Sequence, residues 1–526
     1  MYKNPTIQEL ASTLYSHLAS RFPICCASDE FIFFPQALGS AGDRWSWDDL
    51  SPDAVKDSIQ YLQEFQRQAG IFQSSENTRD KVLASLLVWV ARTLEEQFAI
   101  VRTHATQPTF LLTVATVGLI QALESGRKEV WVERLRNLPL FLDSAFESLS
   151  GVPELYRDLG MEMAAGIAGW LRRFEAEPLT DRAGEAVVSF ASRLSGLPVL
   201  TDFHLEKDVL ERVVSQHTGS GLSIKEALGN LEDEISMVSY GLGIEAGKLG
   251  HGSDWRSAFA GIPGDVVPEG GKKELLSIEI GRLRDHCRRH GFKGTGHGEP
   301  DRLQLEYLPS SLDSIRAADS YNAIPGHPFP GGVFYIYGGG SLGTASGQVH
   351  PVYRMTAAHE AYPGHHLLDL NRWNNPEVSL RSIEYPLFYE GWACYGEGLM
   401  LDTGAFDRPC DSLILLRRRL RHAVRGKIDL LLHSGQMGQT EAAAELVSAG
   451  FARDRALETV RKYALRPAYQ MCYTIGRRRF QRLFDSFAQG DVTRFVSTVL
   501  SHGELLLEDL ERVLKETKRR GDTETW

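Results

Sequence analysis

The sequence predicts a mainly α-helical protein with a small β element beside the segment that carries its chemistry. Apolar residues recur at helical spacing through most of the first 290 positions and again from 351 almost to the end. Val333-Phe334-Tyr335-Ile336-Tyr337, β-branched and aromatic throughout, is the best strand candidate in the chain.

The first helix is expected from Ile7 to Phe22. Ser51-Pro52-Asp53 reads as a capped start with proline in the first turn. Periodic stretches follow at 78–123, 129–148, 154–177, 181–195 and 203–216. Ser223 and Glu226 stand at capping-box spacing and open a helix to about 241. A glycine- and proline-bearing loop, 247–270, precedes a helix over 271–290. Past 290 the texture changes, with Gly291, Gly294, Gly296 and Gly298 crowding a polar segment that ends at Pro300. That change divides the chain into a helical part, 1–290, and a metal-binding part, 291–526. A helix near 304–318 is expected next. A run of turn residues from Ile324 to Gly332 then leads into the strand. The loop from Gly338 to Gly343 lacks a following Gly-Lys-Ser/Thr, so it predicts a tight or mobile loop beside the active cleft and not a phosphate cradle. The later helical region is expected to break near 403–410, 435–440 and 490.

Bulk properties narrow the function. A hydrophobic content of 43% and a charged content of 24% over 526 residues are those of a globular protein. A net charge of −11 argues against nucleic acid or an anionic membrane as partner. Met1 to Pro5 lacks a signal-peptide layout, and no apolar run is long enough to span a bilayer. Six scattered cysteines, none in C-x-x-C, fit reduced thiols and a cytoplasmic location.

The chemistry concentrates at 359–366, His-Glu-Ala-Tyr-Pro-Gly-His-His. Imidazole and carboxylate are the usual zinc donors. The familiar zincin signature, His-Glu-x-x-His, is not met, because Pro363 stands where the second histidine belongs. On a straight helix His365 would lie about 240° round from His359. Pro363 must distort the helix, and a distortion of two inserted residues would make His365 the second ligand. His366, seven positions after His359, shares its face but stands about 10 Å along the axis. The choice between His365 and His366 therefore depends on the distortion. Glu390, in Tyr389-Glu390-Gly391-Trp392-Ala393, follows His365 by 25 residues, the interval at which a helical hairpin returns a third ligand in glutamate zincins. Glu397 shares a helix face with Glu390 and is a candidate to orient a ligating histidine.

His-Glu-x-x-Pro-Gly-His-His followed by Glu-Gly-Trp-Ala resembles the motif pair of domain of unknown function family 885, a mainly bacterial group of zincin-like proteins. Phe22-Pro23, Asp48 to Ala54, Gly332 to Tyr335 and Tyr353-Arg354-Met355 are similar to further elements of that family. So are Arg425, Asp429, Leu432 and His433, and Arg461 to Tyr463 with Pro467, Tyr473, Ile475 and Gly476. The resemblance implies a two-lobed, zincin-like helical fold akin to thimet oligopeptidase and carboxypeptidase Taq. Two departures bear on substrate choice: Tyr469 stands where the family has glutamine, with Gln470 one later, and Gly338 to His350 is unlike the family text.

The resemblance implies His359, His365 and Glu390 as ligands of zinc, with manganese or cobalt as substitutes, and Glu360 as general base. Three protein ligands leave a position for a water whose pKa the ion lowers toward 7. Tyr473 is the candidate donor to the developing oxyanion, and His366 is assigned a catalytic role facing substrate. Arg425, Asp429 and His433 line one helix face at i, i+4 and i+8. Arg425 and His433 are expected to contact substrate and Asp429 to support them. Gln470 is assigned to substrate, as is Tyr335, beside which an extended peptide would pair with the strand's edge. The expected function is zinc-dependent hydrolysis of a peptide or amide bond in a small substrate. The alternatives are an enzyme devoted to one metabolite and a non-catalytic binding protein on a zincin scaffold.

Overall fold

The computed structural model describes residues 5–40, 43–174, 178–293, 301–308, 318–338 and 347–520. It is mainly helical, with a few small sheets. Helix α1 (Ile7–Arg21) opens on a capping box, the Thr6 hydroxyl accepting from Glu9 N–H while the Glu9 carboxylate accepts from Thr6 N–H. α2 (Pro52–Gly70) starts on the Ser51 cap with proline at its first position. The stretch expected as one helix over 78–123 is three: α3 (Thr78–Glu96), α4 (Thr103–Thr106) and α5 (Pro108–Glu124). Arg102 adopts φ 58° and Pro108 cannot donate to the ladder, so the axis turns by 85°. Among the described residues no single helix is long and apolar enough to cross a membrane.

Then come α6 (Lys128–Glu147), α7 (Glu154–Leu171), α8 (Pro178–Ser195) and α9 (Lys207–Thr218). α10 (Ile224–Lys248) carries the Ser223–Glu226 capping box. The loop before α12 (Gly271–Arg289) holds the short α11 (Trp255–Ala260). The small strands β1 (Val152–Pro153) and β2 (Val199–Leu200) pair in parallel. β3 (Asp265–Val266) pairs with β7 (Gln348–Val349). The polar segment 294–300 and most of the Gly338–His350 loop lie outside the described residues.

The helix expected at 304–318 is corrected in its first half. Leu303–Tyr307 is strand β4, and residues 309–317 lie outside the described residues. Leu303, Leu305 and Tyr307 alternate with Gln304 and Glu306, a period of two that suits a strand. β4 pairs in parallel with β6 (Gly332–Ile336), whose other edge is taken by antiparallel β5 (Ser320–Ala323). The proposed peptide alongside Tyr335 is therefore also corrected. β6 is the middle strand with both edges paired, and β4 and β5 are the outer strands.

The second half continues with α13 (Val352–Glu360), α14 (His365–Asn374), α15 (Val378–Arg381) and α16 (Pro386–Asp402). It ends with α17 (Asp411–His433), α18 (Gln439–Ser448), α19 (Ala456–Tyr463), α20 (Cys472–Phe487), α21 (Val492–His502) and α22 (Leu507–Arg520). Packing crosses residue 290 throughout: α10 lies along α17, α9 meets α16 and α1 meets α15. α16 and α20 touch at Gly391 and Gly476, where a β-carbon on either would fall within about 2.6 Å of the other's backbone. This contact sets Glu390 against Tyr473. Buried Arg354 ties α13 to the start of α17 through both oxygens of Asp411, at 2.9 and 2.8 Å.

Candidate metal centre

Helix α13 ends at Glu360, and the next backbone bonds explain where the following histidine goes. Gly364 N–H reaches back to Ala358 O at 3.0 Å and Leu367 N–H to Ala361 O at 3.2 Å. Each spans six residues where an α-helix spans four, so two residues are looped out around Pro363, which has no N–H to give. The helical course then resumes as α14. Gly364 is required here by close approach, since a β-carbon would lie 1.8 Å from His359 O.

With two residues looped out, His359, His365 and Glu390 form one group whose ligand atoms all lie within 4.8 Å of one another. His359 Nε2 stands 3.3 Å and His365 Nε2 3.6 Å from Glu390 Oε2. Two donors about 2.1 Å from one tetrahedral ion are roughly 3.4 Å apart, so these separations suit a shared ion. All three side chains are buried, and Glu390 Oε2 has no hydrogen-bond partner among the described residues. A buried carboxylate oxygen left so is costly unless a cation meets it. Burial would raise the Glu390 pKa, but the two imidazoles hold it well below the carboxylate range. The donor set fits zinc.

Behind the group, His359 Nδ1 meets Glu397 Oε1 at 2.8 Å, and Arg418 grips both Glu397 oxygens at 2.8 and 3.0 Å. Burial pushes the Glu397 carboxyl up, but Arg418 and His359 hold it well below its usual value. A charged Glu397 keeps a proton on Nδ1 and so aims Nε2 toward Glu390. Glu397→Gln should weaken zinc affinity about 10- to 100-fold, measured by competition with a chelating dye. Unchanged affinity would show that Glu397 does not orient His359. A second grouping, His359, Cys394 and Glu397, shares the Nδ1 atom already held by Glu397. His365 is backed by Tyr389, which stacks on it at 3.9 Å and donates to Asp369 at 3.2 Å.

The other expected site residues separate into two sets. Glu360, Gln470 and Tyr473 line the same cavity as the histidines and Glu390. Glu360 is half-buried, and burial raises its pKa. The Tyr473 ring lies 6.2 Å from that of His359 and under the Arg425 guanidinium at 4.5 Å. Arg425 Nε donates to Gln470 Oε1 at 2.9 Å, and Asp429 accepts from Ala468 and Gln470 N–H at 3.0 and 2.8 Å. Those two bonds pin a turn in which Ala468 is strained at φ 60°.

His366 and His433 are corrected. His366 faces Asp301 at 3.0 Å and Tyr321 at 3.3 Å, is fully buried, and does not line the cavity. The looped-out residues rotate His365 into the group and His366 away from it. His433 is spent on Asp429, at 2.8 Å, and Ala464 O, at 3.1 Å, so it braces α17 and does not line this cavity. A residue with no assigned role proves to belong to the site: Tyr469 donates to Glu390 Oε1 at 2.6 Å. The signal available was its place four residues before Tyr473.

The fold and its side chains define a helical protein with a buried His–His–Glu group on a cavity wall. Residues 296–514, which carry that group, match the family described as "Bacterial protein of unknown function (DUF885)". Comparison with curated proteins finds none that matches. Among solved structures, a candidate lipoprotein from Colwellia psychrerythraea is similar with a TM-score of 0.81 at 16% identity, covering 98% of this chain and 99% of that one. A candidate lipoprotein of unknown function from Shewanella oneidensis has a TM-score of 0.77 at 15% identity, covering 97% and 100%. Both likenesses extend the shared fold over the N-terminal half, beyond the matched residues.

Proposed function

We propose that this chain is a metal-dependent hydrolase that cleaves a peptide or amide bond in a small substrate with metal-activated water. The observation that carries this reading is one buried group of two imidazoles and a carboxylate, with Glu360 beside it on the same cavity wall. A bound zinc, manganese or cobalt ion would acidify its water and polarise the substrate carbonyl. Glu360, next to His359 yet outside the donor group, is placed to act as the general base and would accept a proton from water there. Its raised pKa suits a base that passes the proton on to a leaving amine. Burial pushes the Tyr473 phenol well above its usual range, so it stays protonated and donates to the oxyanion. Tyr469 holds Glu390 Oε1, which would leave Oε2 as the oxygen offered to an ion. A peptide would run beside β5, since Asp319 to Asn322 line the cavity.

The cavity volume of about 710 Å³ favours small substrates over folded proteins. The zincin-like relationship and the two lobes, 1–290 and 291–526, belong to the same proposal, as do the absence of nucleic-acid and membrane partners. A cytoplasmic location rests on cysteine usage, and cell fractionation tests it against a location like that of the two neighbours named as lipoproteins. A panel of short peptides and simple amides tests the activity. Turnover should vanish on chelation and return with zinc. Cleavage of a single amide with all peptides inert would favour the enzyme devoted to one metabolite. No turnover, with no metal bound, would favour the binding protein.

A further inference from the structure

Part of the cavity wall has no role in the reaction just described. It is drawn from the N-terminal half, where Phe31, Phe33, Phe98, Phe110, Met163 and Val213 face the space beside polar side chains such as Gln97 and Thr113. Phe33 is the informative residue. Phe34 N–H bonds Phe31 O at 3.1 Å, which makes Ile32 and Phe33 the central pair of a tight turn. Phe33 has φ 79°, while Ile32 is not in the left-handed region. That is the glycine position of a type II turn, and an aromatic residue there is strained. A core phenylalanine needs no such turn. Strain of this kind is kept where a side chain must point in one direction.

The direction is toward the metal group. The Phe33 ring lies 4.9 Å from the His217 ring, and His217 lies 5.8 Å from the Tyr469 ring. Tyr469 in turn bonds Glu390. Phe33 is thus two ring contacts from a metal ligand. Three cations at this part of the wall each have an acid beside them. Arg466 faces Glu30 at 3.3 Å, Arg461 faces Glu162 at 2.8 Å, and Lys462 faces Glu458 at 2.9 Å. The cations here are met by acids, and the rings are left to do the recognising.

We propose that this compartment is a subsite for an apolar group of the substrate, aromatic or branched aliphatic, held next to the bond that is cut. The assignment rests on the hydrolase reading for its meaning, but not for its test. The probes are N-acetyl-L-phenylalaninamide and N-acetylglycinamide, followed by saturation-transfer NMR on the full chain with and without zinc. The phenyl protons should be saturated in both conditions, and the glycine compound should show at least fivefold less transfer. Phe33→Gly, which suits the turn and removes the ring, should lower phenyl transfer at least fivefold. Phe110→Ser, at a ring 5.7 Å from that of Phe31, should do the same should the first variant fail to fold. Equal transfer to both probes, or unchanged transfer in the folded variants, overturns the subsite. If zinc never binds yet the phenyl group is held, the subsite stands and the hydrolase reading falls. If amides are cleaved with no phenyl contact, the reverse holds.

Discussion

Glu360→Gln is expected to lower amide turnover by about two to four orders of magnitude while one zinc ion stays bound. Glutamine keeps the size of the side chain and loses the ability to take a proton from water. Glu360 is outside the group of donor atoms, so the substitution leaves His359, His365 and Glu390 in place. The measurement is kcat on any amide the wild type cleaves, with metal content determined on the same preparation. Turnover within about threefold of wild type would remove Glu360 from the reaction.

Gly364→Ala is expected to cost more than one contact. The new β-carbon would lie 1.8 Å from His359 O and 2.5 Å from Ala358 O, both backbone atoms that no side-chain rotation can clear. The junction between α13 and α14 would have to open, and with it the approach of the two ligating imidazoles, whose ring centroids are 4.8 Å apart. Overpacking of this kind typically costs about 1–3 kcal/mol or more. Zinc affinity should fall at least about 100-fold, and the thermal midpoint should drop. Gly438→Ala is the control, since a β-carbon there meets nothing within 4 Å. A Gly364→Ala variant that binds zinc as the wild type does would show that the looped-out residues do not set the ligand geometry.

Much of the architecture was legible because its cues are local. The Ser51-Pro52 start and the Ser223–Glu226 capping box need only neighbouring residues to satisfy their N–H groups, and both open helices here. The looped-out residues at Pro363 could be inferred from a missing N–H and the interval to Glu390. What was not legible depends on partners far along the chain. Residues at i, i+4 and i+8 share a face, but the periodicity of α17 does not say which face meets the cavity. Packing against α10 decides it, and it turns His433 inward to Ala464. The strand of Tyr335 was visible, but its place in the middle of the sheet depends on β4 and β5, of which β4 was read as helix. The pairing of His366 with Asp301 joins residues 65 positions apart. The place of Tyr469 four residues before Tyr473 hints at the site but not at the contact with Glu390, which depends on the strained turn at Ala468 pinned by Asp429.

The central claim is that His359, His365 and Glu390 hold one catalytic metal ion. Calorimetric titration of the chelator-treated chain with zinc tests it most directly. The account predicts one tight site per chain in the wild type and none in Glu390→Ala, with both proteins folded by circular dichroism. Absence of stoichiometric zinc binding in the wild type, or an undiminished site in Glu390→Ala, would contradict it.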